Sequence, residues 1–326
     1  MVSEKTLSNY FDTTGREDIL TGGIKLIPIQ TPFGEFKVWT KRVGNNPRTK
    51  ALLLHGGPGG THEAFVCFDS YFPAEGFEYY YYDQLGSYYS EQSKESGLWE
   101  ISRFVEEVEQ VRKALKLNNS NFYLLGHSWG GMLAVEYALK YQDNIKGLII
   151  SNMMMSTSAY GKYLDEFLLP KLKPDVLAEI MDLEIKKDFD NPRYMELLLP
   201  NFYAKHLIQI PVEQWPDPIN RLFKHINQDI YRLMWGPSEL GAHGTLKNWD
   251  RTSDLSEIKV PTLIIGATYD TMDPEHMKWV STQVQHGQFL LCPNGSHCAL
   301  YDDQKIYFEG LIKFINDVDR GTFTTK

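Results

Sequence analysis

Apolar and polar positions fall into two alternating rhythms, short runs of strand length and longer stretches with helical spacing. Ile24-Lys25-Leu26-Ile27-Pro28-Ile29 and Phe36-Lys37-Val38-Trp39 flank the breaker Pro32-Phe33-Gly34 and predict a β-hairpin. The apolar runs 51–54 and 77–82 each end in a glycine-bearing loop, His55-Gly56-Gly57-Pro58-Gly59-Gly60 and Asp83-Gln84-Leu85-Gly86. Over 101–115, Ile101, Phe104, Val105, Val108, Val111 and Leu115 recur at helical spacing with Glu106, Glu107, Glu109 and Lys113 opposite, which predicts an amphipathic helix. Residues 121–125 predict a buried strand, followed by the turn Gly126-His127-Ser128-Trp129-Gly130-Gly131 and a helix over 132–141. Further strands are expected at 147–151, 260–266 and 288–291, and a terminal helix at 303–318.

Strands alternating with helices predict an α/β protein with a mostly parallel sheet. Residues 153–250 break the rhythm. They read as helical, are rich in Leu, Met and aromatic side chains, and are punctuated by Pro170, Pro174, Pro192, Pro200, Pro211, Pro216 and Pro218. The chain therefore divides into an α/β core of residues 1–152 and 251–326 and a helical cap of residues 153–250. A length of 326 residues suits one elaborated domain with such an insertion.

Composition narrows the partners. Hydrophobic residues make up 42% and charged residues 23%, enough to bury a sizeable core. The formal net charge of −9 disfavours capture of nucleic acid or an anionic membrane. Cys67, Cys292 and Cys298 cannot all pair with one another and are too few for a disulfide framework, which favours a reducing compartment. No apolar run approaches membrane-spanning length, and residues 1–10 lack a basic start followed by a hydrophobic stretch. The expectation is a cytoplasmic protein with no nucleic-acid or membrane partner.

Gly126-His127-Ser128-Trp129-Gly130 fits G-x-S-x-G, a strand-to-helix turn that lifts a serine hydroxyl out of a sheet. A serine nucleophile needs a histidine base, and the base a carboxylate, here expected in the order Ser, Asp, His. His297 follows the last expected strand and Asp270 the preceding one. Asp273 is the rival acid, but Asp273-Pro274 reads as a helix N-cap with proline in the first turn. Among the other histidines, His127 points away from Ser128 by the geometry of the turn, and His276 and His286 fit a solvated helix or loop. The glycines of the 55–60 loop allow backbone N–H groups to face a developing oxyanion, with Gly57 and Trp129 as donors. That loop lacks the Lys-Ser/Thr ending of a P-loop and the spacing of a dinucleotide site. No H-E-x-x-H or paired-cysteine pattern occurs either, so neither metal nor cofactor is expected.

Together, the 55–60 loop, Tyr82-Asp83-Gln84-Leu85-Gly86, the serine turn, Trp235-Gly236-Pro237-Ser238-Glu239, Gly244-Thr245-Leu246-Lys247-Asn248-Trp249-Asp250 and the segments holding Asp270 and His297 resemble the proline iminopeptidase (prolyl aminopeptidase) family. These are α/β-hydrolase serine peptidases that remove an amino-terminal residue, preferentially proline. The Gly-Pro-x-Glu segment is the most discriminating match. The resemblance implies an α/β-hydrolase fold, an acyl-enzyme and short peptides with a free amino terminus as substrates. An aminopeptidase binds a protonated amine beside the scissile carbonyl, which assigns Glu239 to that amine; the alternative is a solvated acid. The family often carries a second glutamate directly after the catalytic aspartate, where this chain has Thr271, leaving Asp273 or Glu213 as substitutes. Trp215, Trp235, Phe202, Tyr203 and Met153 to Met155 either line a small apolar site or simply pack. Two other readings remain: an esterase, lactonase or amidase on the same scaffold, in which Glu239 has no role, and a non-catalytic ligand-binding homologue. An aspartate-dependent epoxide hydrolase or dehalogenase does not fit Ser128.

Overall fold

The computed structural model describes residues 10–325; residues 1–9, most of the stretch read above for a leader, lie outside them. Eight strands form one sheet in the order β1-β2-β4-β3-β5-β6-β7-β8. They are β1 (Ile24–Thr31), β2 (Gly34–Val43), β3 (Lys50–Leu54), β4 (Glu78–Asp83), β5 (Phe122–His127), β6 (Gly147–Ser151), β7 (Thr262–Ala267) and β8 (Gly287–Cys292). β1 and β2 make the expected hairpin, β2 runs antiparallel to β4, and every later pairing is parallel. Strands β3 to β7 are buried along their whole lengths, which is why they read as continuous apolar runs rather than alternating ones.

Strand β4 carries four tyrosines into that interior, and each hydroxyl finds a carboxylate. Tyr79 and Tyr81 bond Asp69, Tyr80 bonds Glu78 and Tyr82 bonds Glu107. A buried phenol left unpaired would cost about 1–3 kcal/mol, so these acids are what permit an aromatic central strand.

Helix α1 (Ile101–Ala114) buries its apolar face and also Arg103 and Glu107, an ion pair whose carboxylate accepts the Leu85 N–H at 2.9 Å. Helix α2 (Trp129–Tyr141) is buried at nearly every position over 129–138. It begins three residues before the expected helix, immediately after Ser128.

Between β6 and β7 lie helices α3 (Thr157–Tyr163), α4 (Pro174–Lys186), α5 (Pro192–Leu198), α6 (Asp217–His225) and α7 (Gln228–Met234). Prolines open α4 and α5 at their first positions and sit at the second of α6, where a missing N–H costs nothing. The neck of this insertion is pinned, since Ser156 and Asp250 are bridge partners and the Thr157 N–H donates to Trp249 O at 3.0 Å. Helices α8 (Pro274–Gln283) and α9 (Gln304–Arg320) complete the core. Asp273 caps α8 as expected, accepting the Glu275 N–H at 3.0 Å. Among the described residues no helix is long and apolar enough to cross a membrane.

Candidate active site

The carboxyl ends of the parallel strands converge on one cavity of about 500 Å³ lined by Gly56, Gly57, Ser128, Glu239 and His297 among others. Ser128 follows β5 with φ 55 and ψ −126, a conformation that L-residues adopt at a cost of about 1–3 kcal/mol. The residues two positions to either side of it must be glycine. A Cβ on Gly126 would lie 1.9 Å from Gly130 O, and one on Gly130 only 2.0 Å from Leu54 O. The turn is compressed against β3, and the serine side chain has one direction left, toward the cavity.

Asp270 and His297 meet behind the serine. His297 Nδ1 lies 2.8 Å from Asp270 Oδ1, with Asp270 fully buried and His297 nearly so. Asp270 also accepts the Met272 N–H at 3.0 Å and the Asn152 amide at 2.6 Å. An Nδ1 proton directed at the carboxylate leaves the His297 Nε2 lone pair free as a base. Burial presses the His297 pKa down, but the Asp270 carboxylate outweighs it, with Glu239 and Asp302 adding to the effect, and the pKa ends above the usual 6.5. Among the described residues Ser128 Oγ and His297 share the cavity lining without a direct hydrogen bond, a contact that many triads close only around substrate.

The Trp129 N–H sits at the first position of α2, where helix geometry leaves it without an intrahelical acceptor. Gly57 has φ 113, a left-handed value, and a Cβ there would press on Gly59 and Gly60. A Cβ on Gly56 would stand 3.1 Å from Ser128 Cβ, so the glycine loop and the serine turn touch.

Glu239 enters from the insertion. Its Oε1 accepts the Tyr231 hydroxyl at 2.6 Å, its carbonyl accepts that of Tyr160 at 2.6 Å, and its N–H donates to Tyr203 Oη at 3.3 Å. Oε2 is shielded from solvent and has no partner among the described residues. Burial raises the Glu239 pKa above its usual 4.5, opposed by His297 and by the Tyr231 bond. Glu239 is thus a positioned acid rather than a solvated one.

The proposed substitutes for a second acid do not reach the site. Asp273 is occupied as a helix cap, and Glu213 is exposed in the short 3₁₀ segment Val212–Gln214. Thr271 is buried, with Oγ1 3.2 Å from His297 Nδ1. Trp215 and Tyr203 line the cavity, whereas Phe202, Trp235 and Met153 to Met155 pack into the core. His127 is buried beside His297, with ring centroids 5.0 Å apart, and burial holds its pKa well below 6.5. His286 is exposed as expected, but His276 is half-buried and its Nε2 accepts the Met155 N–H at 3.2 Å. It serves the packing of α8 rather than facing solvent. Among the described residues no three His, Cys, Asp or Glu side chains group closely enough to hold a metal ion.

Asn152, Gln84 and Tyr231 also take part in the site, and the sequence alone does not assign them a role there. The first two share one signal with Ser128 and Asp270: each is a polar residue at the carboxyl end of a buried strand, the edge where α/β sheets build their sites. Asn152 has φ 54, and its amide holds Asp270 while approaching Ser296 O at 3.3 Å, so it steadies the loops of both acid and base.

The chain is similar to several known proteins. A profile of the alpha/beta hydrolase fold matches residues 52–304. A proline iminopeptidase of Flavobacterium johnsoniae is 62% identical over 294 residues, covering 90% of this chain and 98% of its own. One from Elizabethkingia meningoseptica is 58% identical over 300 residues, covering 91% and 100%. The crystal structure of VinJ superposes with a TM-score of 0.82 at 27% identity, covering 89% of this chain and 98% of that one.

Proposed function

The chain belongs to the proline iminopeptidase family of α/β-hydrolases, and from that premise we propose that it releases amino-terminal proline from short peptides through an acyl-enzyme on Ser128. The aminopeptidase activity itself rests on identities of 58% and 62% over nine-tenths of the chain.

Ser128 Oγ gives its proton to His297 Nε2 as it attacks the carbonyl of the first residue. Asp270 stabilises the imidazolium, and the N–H groups of Gly57 and Trp129 receive the oxyanion. The tetrahedral adduct collapses as His297 passes that proton to the leaving amine. Water, deprotonated by His297, then attacks the acyl carbonyl, and the second tetrahedral adduct collapses as His297 returns that proton to Ser128 Oγ, which frees proline and the serine hydroxyl. No cofactor enters any step.

The observation that carries the reading is the unpartnered Oε2 of Glu239 on the same cavity as Ser128 and His297. A shielded carboxylate oxygen without a donor is a strong acceptor for the protonated amine of a free amino terminus. An esterase or lactonase would have no use for it. Residues 153–250, which supply Glu239 and Tyr231, act as a cap on the core of residues 1–152 and 251–326. A cytoplasmic setting is supported by three buried free cysteines, and the absence of nucleic-acid or membrane partners by the net charge of −9.

Ser128→Ala tests the nucleophile. Turnover of prolyl arylamide should vanish while circular dichroism and the unfolding temperature stay as in the wild type; normal activity in that variant would refute the assignment.

A further inference from the structure

The two oxyanion donors come from segments far apart in sequence, Gly57 in the loop after β3 and Trp129 at the start of α2. One side chain joins the two. Gln84, just past β4 and 1% exposed, accepts the Trp129 indole N–H on its Oε1 at 2.9 Å. Its Nε2 donates to the carbonyl of His55 at 3.2 Å, and its backbone N–H donates to His55 Nε2 at 3.2 Å. Burial holds the His55 pKa down to about 4, so the ring is neutral at physiological pH. With Nε2 accepting, the ring proton sits on Nδ1 and donates to Gly56 O at 2.9 Å. A continuous chain of hydrogen bonds thus runs from Trp129 through Gln84 and His55 to Gly56, one residue short of Gly57.

These contacts stand behind the site. The cavity is lined by Gly56, Gly57 and Ser128, while Gln84 lies beneath them among Trp129 and His55. The bond pattern also demands an amide. A carboxylate would offer no donor to the His55 carbonyl, and an apolar side chain would leave that carbonyl and the indole N–H unpaired.

We propose that Gln84 is the positioning residue of the oxyanion site: by clamping the Trp129 indole to the His55 carbonyl, its amide sets the gap between the Gly57 and Trp129 N–H groups. The proposal rests on the reading of Ser128 as nucleophile with those two donors. Loss of one oxyanion donor lowers kcat by about 10²–10³ and a 1 Å misplacement by about 10², so a loosened gap should cost roughly 10- to 100-fold.

The test is a double-mutant cycle on prolyl arylamide hydrolysis with Gln84→Met and Trp129→Phe, the latter removing the indole N–H and keeping the backbone donor. Gln84→Met should lower kcat with KM, the affinity for free proline and the acid limb of the pH profile unchanged. Affinity for a prolyl boronic acid, which forms a tetrahedral adduct on Ser128, should fall by the same factor as kcat. The double variant should lose no more than the worse single variant, because both changes cut one clamp. Unchanged kcat in Gln84→Met, or losses that simply multiply in the double variant, would overturn the proposal. If Gln84→Met does not fold, Trp129→Phe decides alone: weakened boronate binding with unchanged proline binding supports the clamp, and equal binding of both overturns it. A wild-type protein that neither hydrolyses the arylamide nor binds the boronate overturns the underlying reading and the proposal with it. An active wild type with an unaffected Gln84→Met overturns the proposal alone.

Discussion

Glu239→Gln removes one negative charge from the cavity and keeps the shape of a residue whose carboxylate is held by Tyr231 and whose backbone is held by Tyr160 and Tyr203. Oε1 is taken by Tyr231 and Oε2 has no donor, so the ammonium of a bound amino terminus would supply the missing bond. A hydrogen bond to a charged group contributes about 1.5–3 kcal/mol, which corresponds to roughly 10- to 150-fold in kcat/KM. The glutamine amide can still accept from Tyr231 through its oxygen, but it then aims N–H groups at the ammonium, which places the loss toward the upper end. Glu239 is also one of the acids that hold the His297 pKa up, so the acid limb of the rate profile should move to lower pH in the variant. The assay compares kcat/KM for prolyl arylamide with that for a short-chain acetate ester. The arylamide should suffer the full loss while the ester is hydrolysed as by the wild type. An equal loss on the ester would refute the reasoning, because Glu239 would then act on the nucleophile or the fold rather than on the amine.

His297 works as a base only when neutral, and its pKa lies above 6.5, so kcat/KM should fall as pH drops with its inflection above that value; an inflection at or below 6.5 would contradict the assigned pair with Asp270. Gly130→Ala would drive a methyl group to 2.0 Å from the Leu54 carbonyl oxygen. The expected cost is about 3 kcal/mol or more, a fall in Tm of about 4 °C or more, and an unchanged Tm would mean that the turn is not compressed against β3.

The parallel core was legible because β3 to β7 are buried on both faces and so leave uninterrupted apolar runs in the chain. Ser128, Asp270 and His297 were legible because a strained turn demands glycines at fixed offsets and the fold sets the order of its partners. Other features left no periodic trace. The start of α2 at Trp129 depends on the positive φ of Ser128, which lets the helix begin without a linker. The 3₁₀ segment His62–Ser70 after the glycine loop has neither rhythm of 2 nor of 3.6 to announce it. Gln84 and Asn152 acquire their roles only when the sheet order brings the ends of β3, β4, β5, β6 and β7 to one edge. His276 looked solvated because its partner, the Met155 N–H, comes from the neck of an insertion far away in sequence.

The central claim, that a serine hydrolase site here selects a free amino-terminal proline, is tested most directly by hydrolysis of prolyl arylamide beside its N-acetylated form. Rapid release from the free form and none from the blocked form is the expected result. Comparable release from both would contradict the account, since a site built around the Glu239 carboxylate has nothing to gain from a substrate without its ammonium.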